Sequence, residues 1–412
     1  MKKVKLMKKY ANLIATIGIR AHSGQNVVIQ ANVEMSEFVH YLVKELYNQK
    51  VKHVDVVYTD QILIKQKLMN SSLKRASEID EFYVQRMEER AKQGYARILL
   101  DGDDPMVFQF VPSEKLKAYN YAFRSATYPF RRIYNSNELA WCIAGVPTKQ
   151  WASRVFKDDS PTQALAKLWK AVYKACRIEE DNDPISEWNE HVERMKRNAS
   201  LINDMKLVSL HYKNSLGTDL TIKLPKNYRF TGANNIQKIN GRGFVPNIPT
   251  EEIFASPRLD GVDGIVYSSK LLNYHGIVID KFFLKFKDGK VIDFGAETGY
   301  EALKGIIEFD EGSCRLGECA LIPYHSPISE LGIVFLSTLF DENASCHLAL
   351  GASFNECIEN GENMSEEELT AAGLNSSKEH VDFMIGTKDL QIDGIDEEGH
   401  THPIFVDGDF AF

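Results

Sequence analysis

The sequence lacks the features that would place the protein in a membrane or in an oxidising compartment. No apolar run reaches the length of about 18 residues that a membrane span needs. Lysines interrupt the first residues, MKKVKLMKKY, where a secretory leader would carry an apolar core. The six cysteines show neither CxxC spacing nor the spacing of a disulfide framework. We therefore expect a reduced, cytoplasmic protein with no membrane partner.

The sequence also contains fewer basic than acidic residues. The 412 residues include 49 lysines and arginines against 57 aspartates and glutamates, which gives a formal net charge of −8. A surface of that sign repels phosphates. The basic cluster at the N-terminus is typical of a solvated helix face, so we expect no nucleic-acid partner.

Several catalytic signatures are missing as well. The sequence contains no HExxH, GxSxG, GxGxxG or GxxxxGK[ST]. Their absence argues against a one-zinc helix-borne protease, a serine hydrolase with a nucleophile elbow and the common dinucleotide and phosphate loops. Cys314, Cys319 and Cys346 lie near acidic motifs, but we interpret them as buried apolar side chains rather than thiol nucleophiles.

The first part of the chain alternates strand-like and helix-like patterns. Helices are predicted at residues 4–20, 36–46, 72–93 and 113–124, and strands at 27–29, 51–58, 95–100 and 138–144. Alternation of this kind predicts a largely parallel sheet with helices on its faces. We therefore predict an N-terminal α/β domain over residues 1–200.

The pattern changes beyond residue 200. Short strands are predicted at 207–212, 219–224, 263–268, 275–286, 290–295, 333–336, 382–385 and 389–392. Turns such as Asp288-Gly289 separate them, and few helices are predicted. We therefore predict a β-rich, mixed domain over residues 201–412. The chain length also fits two domains.

Carboxylates and imidazoles stand in apolar surroundings within this second part. His380 and Asp382 are two residues apart in a predicted strand, so both side chains leave the same face. Other candidates in similar settings are Glu318, His347, Glu251 and Glu252. Pairs of divalent ions need bridging carboxylates and neutral imidazoles. The donor set therefore indicates a two-metal hydrolytic site in the second domain.

Each of these residues alone has an ordinary structural explanation. Glu318 could form a buried ion pair with Arg315, and His347 could be a hydrogen-bonded core histidine. The segment from His400 to His402 has metal-like spacing but lies in a polar turn, and we interpret it as solvated. Only the set as a whole favours a metal centre.

Four segments together resemble a known family, the thermophilic metallo-aminopeptidases or M29 peptidases. They match its motifs in order and spacing: NIPTEEIF at 247–254, LGECAL at 316–321, TLFDENASCHLALG at 338–351 and HVDFMIG at 380–386. The resemblance is close over about 205–410 and weaker in the part of the sequence before it. It implies a homodimeric metallo-aminopeptidase that removes single residues from peptides with a free N-terminus.

The resemblance also implies a ligand set. The family's metal ligands correspond to Glu252, Glu318, His347, His380 and Asp382. They would hold two divalent metal ions (Zn, Co, Mn or Mg) with a water bridging them as the nucleophile. Spacing to Glu318 favours Glu252 over its neighbour as the ligand, and Glu251 is then the predicted general base.

Phe354 departs from the family pattern. The family carries a tyrosine seven residues after the histidine of HxALG, and Phe354 stands at that position. A phenyl ring cannot donate a hydrogen bond to a tetrahedral oxyanion. Phe354 therefore keeps open a non-catalytic or weakly active metal- or peptide-binding relative. A two-metal hydrolase of non-peptide substrates also stays open, because metal pairs serve phosphoesters as well.

Overall fold

The structure is a computed structural model that describes residues 2–232, 234–274 and 277–412. The chain divides into two compact units, Met1–Glu190 with Asn234–Pro249 and His191–Ala233 with Thr250–Phe412. None of the helices in the described part is both long and apolar enough to cross a bilayer.

The first unit is a parallel sheet with helices around it. Its strands are β1 (Asn26–Asn32), β2 (His53–Thr59), β3 (Ala96–Asp101), β4 (Trp141–Gly145) and β9 (Asn247–Ile248), with a short pair β7 (Asn235–Ile236) and β8 (Gly243–Phe244) outside the sheet. The five strands lie in the order β2-β1-β3-β4-β9, and all neighbours are parallel. Residues 27–31 of β1 are buried, as expected for a parallel strand covered on both faces.

Nine α-helices begin in this part of the described chain. They are α1 (Lys2–Leu13), α2 (Ser36–Asn48), α3 (Gln61–Asn70), α4 (Leu73–Ala76), α5 (Glu81–Lys92), α6 (Ser113–Asn135), α7 (Lys149–Val155), α8 (Pro161–Ala175) and α9 (Pro184–Asp204). The local sequence determines where several of these helices begin. Ser160 and Gln163 form a capping box ahead of α8, with Pro161 at the first helical position.

The second unit contains a large antiparallel sheet. Its strands are β5 (Leu207–Lys213), β6 (Asp219–Lys223), β11 (Val262–Tyr267), β12 (Leu272–Tyr274), β13 (Ile277–Lys287), β14 (Lys290–Thr298), β18 (Gln391–Asp396), β19 (Thr401–Val406) and β20 (Asp409–Phe410). The order is β12-β13-β11-β6-β5-β18-β19-β20, and β14 pairs with β13. The α-helices that begin in the described part of this unit are α10 (Tyr300–Ile307), α11 (Thr338–Asp341) and α12 (Glu366–Ala371).

A smaller antiparallel sheet in the same unit carries the motif residues. It consists of β10 (Ile253–Ala255), β15 (Leu316–Leu321), β16 (His347–Gly351) and β17 (His380–Met384), in the order β10-β15-β16-β17. The predicted fold class, α/β first and β-rich second, is confirmed.

Two local predictions differ from the structure, and a third falls partly outside the described residues. The predicted helix at 72–93 is two helices, because Ser72 caps α4 and Asp80 caps a second start at α5. Residues 333–336 form no strand. The predicted strand at 275–286 begins with two residues outside the described part, and β13 covers the rest.

Candidate metal centre

The register of the small sheet places the candidate ligands on one face. Glu318 lies opposite Ala349, and Ala349 lies opposite Asp382 across the next pair of strands. Directly opposed residues of antiparallel strands point to the same face. His347 and His380 alternate onto that face from positions two residues away along β16 and β17. We call this side of the sheet the ligand face.

Small side chains line the ligand face between the ligands. Ala349 separates Glu318 from Asp382, and Ala320 lies opposite His347. The other face carries buried leucines and aromatic side chains, among them Leu348, Leu350 and Phe383. Core packing therefore holds one side of the sheet, and the alanines leave room on the other.

A β-bulge at Gly317 directs Glu318 to the ligand face. Leu316 lies opposite Leu350, yet Glu318 lies opposite Ala349, because one extra residue is inserted between them. In a regular strand Leu316 and Glu318 would share a face. No side chain fits at the bulge, since a Cβ on Gly317 would lie 2.1 Å from the carbonyl oxygen of Ala352. The bulge at Gly317 thus directs Leu316 into the core and the Glu318 carboxylate to the ligand face.

The structure brings all five predicted metal ligands together in two groups. Glu252, Glu318 and His347 form one, and Glu318, His380 and Asp382 form the other, with the ligand atoms of each group within 4.8 Å of one another. His347 Nε2 lies 3.5 Å from Glu252 Oε2, and His380 Nε2 lies 3.0 Å from Glu318 Oε2. Glu318 belongs to both groups.

Backbone carbonyls orient both imidazoles. His347 Nδ1 lies 3.0 Å from the carbonyl oxygen of Glu342, and His380 Nδ1 lies 2.8 Å from that of Ala352. A carbonyl only accepts, so each Nδ1 carries the proton that it donates, and each Nε2 is turned toward the carboxylates of the ligand face. This is how a protein usually presents a metal-binding histidine.

Buried negative charge shows that these residues suit a cation. Burial raises the pKa of Glu252 to about 8, and the nearby Glu318 and Asp382 carboxylates act in the same direction. Asp382 Oδ1 is buried without a hydrogen-bond partner in the described part of the chain, although it lies 3.1 Å from His380 Nε2. Carboxylates with neutral imidazoles are a donor set that divalent cations accept. The residues present therefore fit divalent metal.

In the described part of the chain, the structure does not show the ion pair between Glu318 and Arg315 that was the alternative explanation for Glu318, and it places the segment 400–402 outside the groups of candidate ligands. Arg315 donates to the backbone oxygens of Leu259, at 2.6 Å, and Asp288, rather than to Glu318. His400 and His402 share the carboxylate of Asp396, at 3.3 and 2.8 Å, outside both ligand groups.

Glu251, the predicted general base, lies in neither group. It is buried, and its backbone N–H donates to Asn343 Oδ1 at 2.8 Å. Its carboxylate Oε2 lies 3.6 Å from His191 Nε2. Glu251 therefore faces a histidine that the sequence did not single out.

Glu342 is an acidic residue of the centre that sequence reasoning missed. Burial raises the pKa of Glu342 well above its usual value, and the charges of Asp382, Glu252 and Glu318 add to this. The backbone carbonyl of Glu342 accepts from His347 Nδ1, which places Glu342 directly beside one of the predicted ligands. The available signal was its place in the motif TLFDENASCHLALG, five residues before the histidine.

This fold and donor set fit a metal-dependent enzyme, and comparison with known proteins identifies the class as metallopeptidase and gives the family. The family model described as thermophilic metalloprotease (M29) matches residues 3–410. Aminopeptidase AmpS of Bacillus subtilis is 40% identical over 98% of both chains, and aminopeptidase PepS of Streptococcus thermophilus is 39% identical over 98% of both. The solved structure of wild-type AmpT from Thermus thermophilus has a TM-score of 0.93 at 31% identity, covering 100% of both chains.

The chain belongs to the thermophilic metalloprotease (M29) family. It is a metallo-aminopeptidase, as the similarity to aminopeptidases along its whole length shows. The family resemblance stated from four sequence motifs is confirmed.

Proposed function

We propose that this metallo-aminopeptidase works with two divalent ions held on the ligand face. The supporting observation is that Glu318 belongs to both ligand groups, so its two oxygens can serve one ion each. Glu252 and His347 would complete one shell, and His380 and Asp382 the other. A mixed set of carboxylates and imidazoles suits Zn, Co, Mn or Mg.

The ions would supply a Lewis acid for the scissile carbonyl and a shared water of lowered pKa. Groups of the protein itself orient the ligands and transfer protons. The carbonyls of Glu342 and Ala352 fix the orientation of the two imidazoles, with each Nε2 facing the carboxylates. Glu342 is the carboxyl that we assign to accept the proton of the attacking water and return it to the leaving amine. Glu251 remains the alternative base.

The substrates that we propose are peptides with a free N-terminus. Relatives named as aminopeptidases support this choice, and buried carboxylates suit an α-ammonium group. We further propose a cytoplasmic homodimer, whose mass light scattering would report.

Metal counting on matched variants tests the two-ion arrangement. Glu318→Gln should lower the affinity for both ions, whereas Glu252→Gln and Asp382→Asn should each lower the affinity for one. Glu301→Gln, an exposed change on α10, is the control and should keep both ions. Plasma mass spectrometry after dialysis at limiting metal gives the count.

Activity is followed with an aminoacyl chromogenic amide, and an N-terminally blocked version should be inert. A wild-type protein that binds a single ion at full activity would refute the two-ion proposal. Hydrolysis that survives complete removal of metal would refute metal catalysis itself.

A further inference from the structure

Asn343 is a buried amide beside the candidate metal centre. It lies in the 3-10 turn Glu342–Ala344, between α11 and β16, and the residue is 0% exposed. An amide side chain has two N–H donors and an oxygen acceptor, and burying them costs stability unless they find partners. The partners of Asn343 therefore indicate what it does in this turn.

Both polar atoms of this side chain have partners. Asn343 Nδ2 donates to the carbonyl oxygen of Leu339 at 3.0 Å and to Glu342 Oε1 at 3.3 Å. Asn343 Oδ1 accepts from the backbone N–H of Glu251 at 2.8 Å. Exchanging the amide oxygen and nitrogen would place an oxygen against two acceptors and a donor against a donor. The neighbouring groups therefore fix one orientation of the amide.

The bond to Glu342 holds one oxygen of that carboxyl group. Within the described residues, Glu342 Oε2 accepts no hydrogen bond, so Asn343 restrains the carboxyl group without occupying both of its oxygens. A glutamate side chain has several rotatable bonds, and a hydrogen bond at its end limits the positions that it adopts. A proton acceptor needs such restraint, because its efficiency depends on its position relative to the reacting group.

The bond to Glu251 connects Asn343 to the segment that carries a predicted ligand. Glu251 lies 92 residues before Asn343 in the sequence and directly precedes Glu252. One amide thus contacts the side chain of the proposed proton acceptor and the backbone beside a predicted metal ligand. Asn343 therefore links two parts of the centre that are distant along the chain.

A second buried side chain holds the same segment. Arg194 donates to His191 Nδ1 at 2.9 Å, so Nε2 carries the proton that His191 donates to the carbonyl oxygen of Thr250 at 2.8 Å. The segment 250–251 therefore keeps an anchor when Asn343 is changed. Among the described residues, the contact that Asn343 alone supplies is the hydrogen bond to the carboxyl group of Glu342.

We propose that Asn343 is a positioning residue that holds the carboxyl group of Glu342 where that group exchanges protons in the reaction. The inference rests on the proposed function, in which Glu342 accepts the proton of the attacking water. Asn343 acts through Glu342, so the loss of its amide affects the reaction only while Glu342 keeps its carboxyl group.

A double-mutant cycle on kcat tests this dependence, with the full-length chain, saturating zinc and the chromogenic amide. Asn343→Ala should lower kcat at least about tenfold with little change in KM, since a small misplacement of a reacting group can cost up to about a hundredfold. Glu342→Gln should lower kcat roughly a hundredfold. The double variant should be about as slow as Glu342→Gln alone, whereas independent effects would multiply to about a thousandfold.

Asn203→Ala is the matched control in the same unit. Asn203 Nδ2 donates to the carbonyl oxygen of Phe230 at 3.0 Å, and Asn203 Oδ1 accepts from the backbone N–H of Phe230 at 2.8 Å. Its loss should lower the melting temperature and leave kcat of the folded protein unchanged. Circular dichroism checks the folding of every variant. Asn343→Ser, which keeps a side-chain oxygen, replaces the alanine variant if that variant does not fold.

The cycle separates this inference from the proposed function. A loss of about a thousandfold in the double variant, with Glu342→Gln slow by itself, would show that Asn343 does not act through Glu342 and would leave the proposed function intact. An unchanged kcat for Asn343→Ala would have the same meaning. An unchanged kcat for Glu342→Gln would instead refute the proposed proton acceptor, and this inference with it.

Discussion

The phenyl ring of Phe354 lies against the imidazole of His380, with the ring centres 4.8 Å apart and the planes tilted by 56°. The same phenyl ring meets Phe254 edge-on at 5.3 Å. The backbone N–H of Phe354 donates to Ser256 Oγ at 3.1 Å, which fixes the loop. The apolar ring of Phe354 thus covers the imidazole of His380 on the ligand face. A tyrosine at this position would add a hydroxyl group there.

Phe354→Tyr should raise kcat by roughly tenfold, because a donor near the centre can stabilise the developing oxyanion. KM should change less, since the new hydrogen bond forms mainly in the transition state. Kinetics on the chromogenic amide give both constants. Phe354→Leu is the control for altered packing and should not raise kcat. An unchanged kcat for the tyrosine variant would mean that the centre needs no donor there.

Gly317→Ala should lower both the affinity of the protein for metal and its free energy of unfolding. The new Cβ would clash with the carbonyl oxygens of Ala352 and Gly351, at 2.1 and 2.4 Å, so the bulge that aims Glu318 must shift. Gly305→Ala is the matched control in the same unit, because no atom lies within 4 Å of its Cβ position. In helix α10 that change should stabilise by up to about 1 kcal/mol. Equal metal content in the two variants would contradict the role of the bulge.

Glu342→Gln should lower kcat by roughly a hundredfold or more, the usual loss when a proton acceptor is removed. The amide is isosteric, and the backbone carbonyl that holds His347 is kept, so metal content should stay near the wild-type value. Glu251→Gln is the comparison, and we expect a smaller loss of kcat from it. The reverse ranking would return the role of base to Glu251.

The five predicted ligands were named from the sequence through the order and spacing of the family's motifs, and the structure brings their side chains together. His380 and Asp382 needed only the two-residue period. The bulge at Gly317 could not be seen in this way, since it depends on the partner strand as well as on its own sequence. Glu342 was not predicted for a related reason. It lies in a short 3-10 turn, and such a turn imposes no periodic pattern on the sequence.

The errors in the fold have local causes of the same kind. The helix predicted over 72–93 has a continuous helical composition, but Asp80 accepts from the backbone N–H of Phe82 and starts a new helix. Residues 333–336 have strand-like side chains without a partner strand in the described part of the chain. Pairing decides whether such a run becomes a strand.

Asp103→Asn should stabilise the protein at neutral pH and above. Asp103 follows β3, and Asn32 Nδ2 donates to its carboxylate at 2.5 Å. Burial still raises the pKa of Asp103 to about 6, and the charge of Asp101 adds to this. The folded state therefore favours the protonated acid, and stability falls as pH rises from the unfolded pKa of about 4 to the folded value.

Asparagine cannot ionise, so Asp103→Asn removes this pH-dependent cost while keeping an acceptor for Asn32. We expect a higher melting temperature at about pH 8, with a gain of about 1–2 kcal/mol after allowing for partial exposure, and little difference near pH 4. Circular dichroism at both pH values measures this, and Asp158→Asn, an exposed change in the same unit, should show no such pH dependence. A melting temperature lowered more at pH 8 than at pH 4 would mean that Asp103 stabilises the fold as a charged group, against the sign expected from its burial.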